Sequence, residues 1–360
     1  MFNLVRIFFL LFLPSVIFAS PLKKLIESPP SWMSKQLKED FNVYKGKKLP
    51  LKNIGELYEK KAEEWLLIEF TIDDRHVSYR TKIPKDHFLQ HRIRVYDKVI
   101  SQLAKKFKLP DMVFLISMAD GVDLPQGTLE GVPLFAMCKK LGGENHCILI
   151  PDFEALNAAY QVLPDVDVAK IDPSWEAKVP KMIWRGSTAQ EGGAIANSNY
   201  EQFSRVQLCS LSLAMPELID ARFTHFAQLA EPVPALEPLR GEWVSFEKQF
   251  KYKYHILVDG NASAYSASGW KFFTNALVFK PNSSWVQWYY GQLQPWVHYV
   301  PIEADLSDLL DKIQWAIQND LQSKTIAKNS REFAITHLTL HYNLAYLHLA
   351  LIKYSKLKFN

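Results

Sequence analysis

The chain has 360 residues, 48% of them apolar and 22% charged, with 42 basic against 38 acidic side chains. A chain of this length folds as about two ordinary domains and buries a large core without disulfide staples, which excludes a cystine-rich mini-protein, a collagen-like chain and a disordered tail. A net charge of +4 is too small to point to nucleic acid as a partner.

Residues 1–19 open with Arg6 and continue as a short apolar run, 7–18, that ends at the small Ala19. This is the pattern of a secretory signal; an uncleaved membrane anchor is the alternative, although the run is shorter than the roughly 20 residues a span needs. The protein is therefore expected to be exported, to a periplasm or secretory lumen, or to be held at a membrane through this segment. Residues 21–65 are rich in Lys and Glu and read as peripheral helices, and 93–107 is an amphipathic helix. Residues 112–118 are nearly all apolar, as in a strand buried on both faces of a parallel sheet. A second apolar run, 147–150, reads the same way. Residues 160–180 are polar and proline-punctuated and form a crossing between domains. A strand at 182–184 and a rigid proline-rich loop at 231–240 follow. The last third alternates: strands at 254–258, 276–279 and 296–302, with helices at 265–274, 284–293 and 306–318, then closing helices at 322–336 and 338–356. Such alternation predicts βαβ units and a parallel sheet. Cys138, Cys147 and Cys209 allow one bridge, Cys138 to Cys147, or three buried thiols.

In open α/β sheets ligands bind beyond the carboxyl ends of strands. Three predicted strands end there in polar groups: Asp120, Arg185 and Asp259. Asp120 is placed to act as a general base, with Asp123 as its competitor; a turn aspartate before Gly121 is the plainer reading. Arg185-Gly186-Ser187-Thr188 offers a guanidinium fork for phosphate, a glycine for close approach and hydroxyls that can cap a helix, against an ordinary capped loop. Asp259-Gly260-Asn261 joins a strand to a helix whose first N–H groups could face an anion, with Lys253 and Lys271 nearby, against an ordinary turn with solvated lysines. The fingerprints of dinucleotide, P-loop, zinc-protease and serine-hydrolase sites are absent. The His87/His91 and His337/His341 pairs have no third ligand in view, and Asp165-Val166-Asp167 lies in a polar loop. No metal site is therefore expected, and no cofactor.

The segments 250–261, 276–280 and 295–301 with 305–309, and Trp184-Arg185-Gly186-Ser187, resemble in order the motifs of glycosyltransferase family 90, the CAP10-type enzymes. Residues 216–221 are similar to a segment of that family, and 109–120 resembles the stretch that ends in its catalytic aspartate. The resemblance spans about 90–350. It implies an α/β, GT-B-like fold: a Rossmann-like acceptor-side domain at 20–168, a Rossmann-like nucleotide-sugar domain at 169–335, and a C-terminal helix, 336–360, returning to the first. It also implies an inverting, metal-independent transfer from a UDP-sugar to a hydroxyl of a protein or of a glycan such as lipopolysaccharide or capsule. Asp120 would be the base, and Arg185, Gly186, Ser187, Lys253, Asp259, Gly260, Asn261 and Lys271 would lie on the donor side. The chain departs from the family at Thr188, where Arg is common, and in 265–271, which lacks the arginine expected to support the diphosphate. Lys271 or Lys253 would have to replace it; otherwise the chain is a catalytically impaired nucleotide-sugar- or carbohydrate-binding protein on the same fold.

Overall fold

The computed structural model describes residues 19–129, 131–144, 146–158 and 168–360. The leader proper and Asp165-Val166-Asp167 lie outside the described residues. In the first half, α1 (Ala19–Glu27) and α2 (Ser31–Phe41) precede β1 (Lys48–Leu49), α3 (Leu51–Lys61), β2 (Leu67–Asp73), β3 (His76–Thr81) and α4 (Gln90–Phe107). Then come β4 (Met112–Ser117), β5 (Leu134–Ala136), β6 (Lys139–Lys140), β7 (Cys147–Leu149) and α5 (Phe153–Ala158). The sheet runs β3-β2-β4-β5-β7. Strand β2 is antiparallel to both neighbours, whereas β4, β5 and β7 are parallel. The sequence predicted no strand between 65 and 93, so the β2–β3 hairpin makes this sheet mixed rather than wholly parallel. Its turn places Asp74 and Arg75 at φ 40° and 66°, the two-residue geometry whose twist matches a hairpin.

Helix α4 buries Arg92, Ile93, Tyr96, Val99, Ile100, Leu103 and Ala104 on one stripe, the spacing of a helix lying on a sheet. It stops where Lys108 turns left-handed, φ 53°, ahead of Leu109-Pro110, which cannot continue a helix.

The second half contains α6 (Val168–Ile171), β8 (Val179–Ser187), α7 (Ser204–Ala214), β9 (Ile219–His225), α8 (Phe246–Gln249), β10 (Tyr252–Ile256) and α9 (Tyr265–Phe272). It continues with β11 (Leu277–Pro281), β12 (Trp285–Val286), β13 (Val300–Ile302), α10 (Leu309–Gln318), α11 (Asp320–His337), α12 (Leu340–Tyr354) and β14 (Lys358–Phe359). Its five main strands are parallel, in the order β9-β8-β10-β11-β13. That is the doubly wound order in which the winding reverses between the first and third strands, β8 and β10, and a crevice opens beyond their carboxyl ends.

Two predicted elements are corrected here. Residues 284–293 form no α-helix. Trp285 and Val286 instead pair antiparallel with Lys140 and Lys139, making a two-stranded ladder between the halves, and only a single turn of 3₁₀-helix follows at Tyr290–Gln292. The strand foreseen at 296–302 shortens to Val300–Ile302 because Trp296 adopts φ 63° and its N–H bonds the Tyr299 carbonyl at 2.8 Å.

Helix α12 packs on α1 and α5, and Leu347, Leu351 and Tyr354 share one core with Phe70 and Phe114 of the first sheet. The Tyr354 hydroxyl donates to the Val113 carbonyl at 2.8 Å. The chain end then pairs β14 with β1. The second sheet has its own core around Trp184, Phe223, Tyr254 and Phe279. Cys138, Cys147 and Cys209 are free and buried, which removes the bridge. Among the described residues no helix is long and apolar enough to cross a membrane. The whole is an α/β, GT-B-like arrangement, two sheets on either side of a cleft.

Candidate active site

The cleft between the halves encloses about 840 Å³. Asp120, at the carboxyl end of β4, stands on one wall; Arg185, Gly186 and Ser187, at the end of β8, and Gly260 and Asn261, beyond β10, stand on the other. The second wall is therefore the switch point of the parallel sheet.

Asp120 is one-third exposed, and Arg92 beneath it is 9% exposed. Arg92 Nη2 donates to Asp120 Oδ1 at 2.8 Å and its Nη1 to the Met118 carbonyl at 2.8 Å, with the guanidinium 4.8 Å above the Phe153 ring. Asn261, from the opposite half, donates through Nδ2 to Asp120 Oδ2 at 3.2 Å. Beside this contact the two halves touch closely. A Cβ on Gly121 would fall 2.5 Å from the Trp285 ring and 2.7 Å from Ala262 Cβ. Asp123, the alternative base, is not a lining residue; it pairs with Lys140 Nζ at 2.9 Å.

Arg185 lines the cleft, but its fork is engaged within its own half. Nη2 donates to Asp220 Oδ1 at 2.8 Å, Nη1 to the carbonyls of Asp220 and Trp184, and Nε to the Glu242 carbonyl at 3.2 Å. A second arginine, Arg205 of α7, also reaches the cleft. It donates to the carbonyls of Asp259, Ser187, Ala189 and Val258, the backbone at the ends of β10 and β8. Burial pushes its guanidinium down to about 10, against the opposing pull of Asp259. A Cβ on Gly260 would lie 2.8 Å from Arg205 Nη2, so this position needs glycine while Arg205 is in place.

Lys271, on α9, is buried at the cleft floor and donates to the Ile256 carbonyl at 2.7 Å. Burial, reinforced by the positive charge of Arg205, lowers its ammonium to about 7. Asp259 turns away from the main cleft; its Oδ1 accepts from the Ala264 N–H at 3.2 Å, and burial raises its carboxyl above the usual range. Lys253 is not a lining residue: it pairs with Asp320 at 2.9 Å and lies 4.6 Å from the Trp175 ring centre. Trp184, Trp243, Phe246 and Trp270 give the second wall an aromatic surface. His91 lines the first wall edge-on to Phe153.

The sequence reading passed over Arg92 and Arg205. Arg92 had a signal, a charged residue on the apolar stripe of an amphipathic helix; Arg205 had none beyond its place in the first turn of α7. Among the described residues no group of three or more His, Cys, Asp and Glu side chains is arranged to hold a metal ion.

A cleft with a carboxylate on one α/β half and a cationic, aromatic wall at the switch point of the other is the arrangement of a glycosyltransferase. The family model for glycosyl transferase family 90 matches residues 30–359, and the chain belongs to that family. It is 29% identical over 331 residues to protein O-glucosyltransferase 2 of Danio rerio, covering 90% of this chain and 62% of that protein. It is 29% identical to protein O-glucosyltransferase 3 of Homo sapiens, covering 82% and 56%. A solved glycosyltransferase from Rickettsia africae ESF-5 aligns over 77% of this chain and 84% of that one at 12% identity, with a TM-score of 0.39. The chain spans 62% and 56% of the length of the two curated relatives.

Proposed function

We propose that this glycosyltransferase moves a sugar, glucose first among the candidates, from a UDP-sugar to a hydroxyl of a protein acceptor, with inversion and with Asp120 as general base. The observation that carries the reading is the Asp120–Asn261 contact at 3.2 Å, which sets the carboxylate directly beside the donor-side loop of the second half. Glucose and a protein acceptor are suggested by the names of the relatives; a lipopolysaccharide or capsule glycan is the competing acceptor.

The donor would lie along the second wall. Its diphosphate carries about two negative charges that must be stabilised as it leaves. Lys271, the start of α9 and the remaining Nη2 N–H of Arg205 face that place. Arg205 also answers the missing arginine in 265–271, since it brings a guanidinium to the same cleft from α7. Arg185 ties β8 to β9 through Asp220 and adds charge to this wall. Ser187 and the aromatic wall would contact the rest of the nucleotide sugar. Asp120 would take the acceptor proton as the hydroxyl attacks the anomeric carbon from the face opposite the leaving diphosphate. We further propose that no metal is needed and that the leader directs the chain to export or holds it at a membrane.

Calorimetric titration with UDP-glucose, UDP-xylose and UDP-galactose, followed by mass analysis of a protein acceptor incubated with the donor that binds, tests this reading. A bound donor and an added hexose support it. UDP binding with no transfer to protein or glycan would favour the impaired binding protein, and no binding of UDP or of any of these donors would overturn the donor assignment.

A further inference from the structure

We propose that Arg92 and Asn261 are positioning residues that grip the two oxygens of Asp120 from opposite halves of the molecule, so that the donor-side loop itself aims the base. This rests on Asp120 being that base.

The grip is rigid on both sides. Arg92 is fixed by its second arm to the Met118 carbonyl, two residues before Asp120, and by the Phe153 ring under its plane. Asn261 is fixed because its neighbours are in contact: Gly260 lies under Arg205, and Ala262 packs against Gly121 with no room for a side chain between them. The two partners differ in what they do. A cation at 2.8 Å favours the ionised carboxylate and so keeps it able to accept a proton. A neutral amide at 3.2 Å orients the second oxygen with little effect on its basicity. Other charged or titratable groups facing the same space are His91 on α4, Glu154 on α5, Arg185 on β8, Arg205 on α7 and Lys271 on α9; of these Arg205 feels Asp120 directly.

The test reads the titration of Asp120 without requiring turnover. Thermal midpoints of the full chain are measured against pH for wild type and Asp120→Asn, and again in Arg92→Gln, Arg92→Lys and Asn261→Asp backgrounds. A carboxyl held down by Arg92 contributes stability that is present above its unfolded value and is lost as pH falls through its folded value. The difference curve between each background and its Asp120→Asn partner should therefore move upward by about one pH unit or more in Arg92→Gln. Arg92→Lys should restore most of it, and Asn261→Asp, which sets a like charge against Oδ2, should also move it upward. With UDP-glucose as donor, the acidic limb of kcat/KM should follow the same shifts. Asn261→Ala should lower kcat about tenfold or more, with the donor KM and the limb nearly unchanged. Curves in Arg92→Gln and Asn261→Asp that superimpose on wild type would overturn the grip. Should Arg92→Gln fail to fold, Asn261→Asp decides alone. If Asp120→Asn itself turns over donor like wild type, it is the base assignment that fails, whatever the Arg92 curves show.

Discussion

Asp120 is singled out in the sequence because it follows an apolar strand and falls in the stretch that resembles the family's catalytic-aspartate segment; from the residues alone a turn aspartate before Gly121 is the plainer reading. Its contacts with Arg92 and Asn261 were not legible, since those residues lie 28 positions earlier and 141 positions later. Arg185 shows the reverse. The segment predicts a free phosphate fork, but the fold gives its donors to the Asp220 carboxylate and to the carbonyls of Trp184, Asp220 and Glu242. Arg185→Lys should still weaken UDP binding by about tenfold, because a point charge cannot hold those bonds and the strand ends would shift. UDP affinity within twofold of wild type by calorimetry would show that the cleft does not depend on the fork. Lys271 provides a pH test. Its ammonium, lowered to about 7 by burial, is largely uncharged at pH 8. A diphosphate beside it would raise that value, so UDP binding at pH 8 should take up protons. The binding enthalpy should then vary with buffer ionisation enthalpy in wild type and not in Lys271→Met. Buffer-independent enthalpy in the wild type would place the diphosphate elsewhere.

At the scale of elements, the parallel sheet of the second half was readable from its alternation of strand and helix. The exceptions have different causes. Trp285-Val286 reads as part of a helix until Lys139-Lys140, distant in sequence, is beside it. The 296–302 strand is cut short by the local turn at Trp296. Strand β2 did carry a strand's signal, the apolar–polar alternation Ile68-Glu69-Phe70-Thr71-Ile72-Asp73, and it was overlooked. Loop 119–121 and loop 260–262 meet in close contact across the halves. Gly121→Ala should cost about 1–3 kcal/mol, since neither the Trp285 ring nor Ala262 can move freely. It should also slow transfer by separating Asp120 from Asn261. A urea midpoint equal to wild type would mean that the halves adjust at no cost. Lys140, which ties Asp123 to Glu191 on the exposed flank of this seam, should contribute at most about 1 kcal/mol, as surface pairs do. Lys140→Met should therefore leave both melting and transfer near wild type, and a large loss of either would assign the seam more than a surface role.

At the scale of the whole molecule, α12 returns to the first core after the second sheet is complete, so the halves are fastened at the chain's end as well as at the seam. The cleft is thus framed by two cores with the Asp120 carboxylate on one and cationic groups on the other. If arginine, lysine and the start of α9 neutralise the leaving diphosphate, sugar transfer should persist in EDTA. Transfer abolished by chelator and restored by manganese would contradict this and direct attention to Asp165 and Asp167. The central claim is that Asp120 activates the acceptor, and a positioned base is worth about 10²–10⁴-fold. The measurement that tests it most directly is sugar transfer by Asp120→Asn beside its UDP-sugar affinity, in protein that melts with the wild type at neutral pH. Transfer should fall by at least a hundredfold with donor affinity nearly unchanged if, as proposed, the donor rests on the other half; transfer at the wild-type rate would contradict the account.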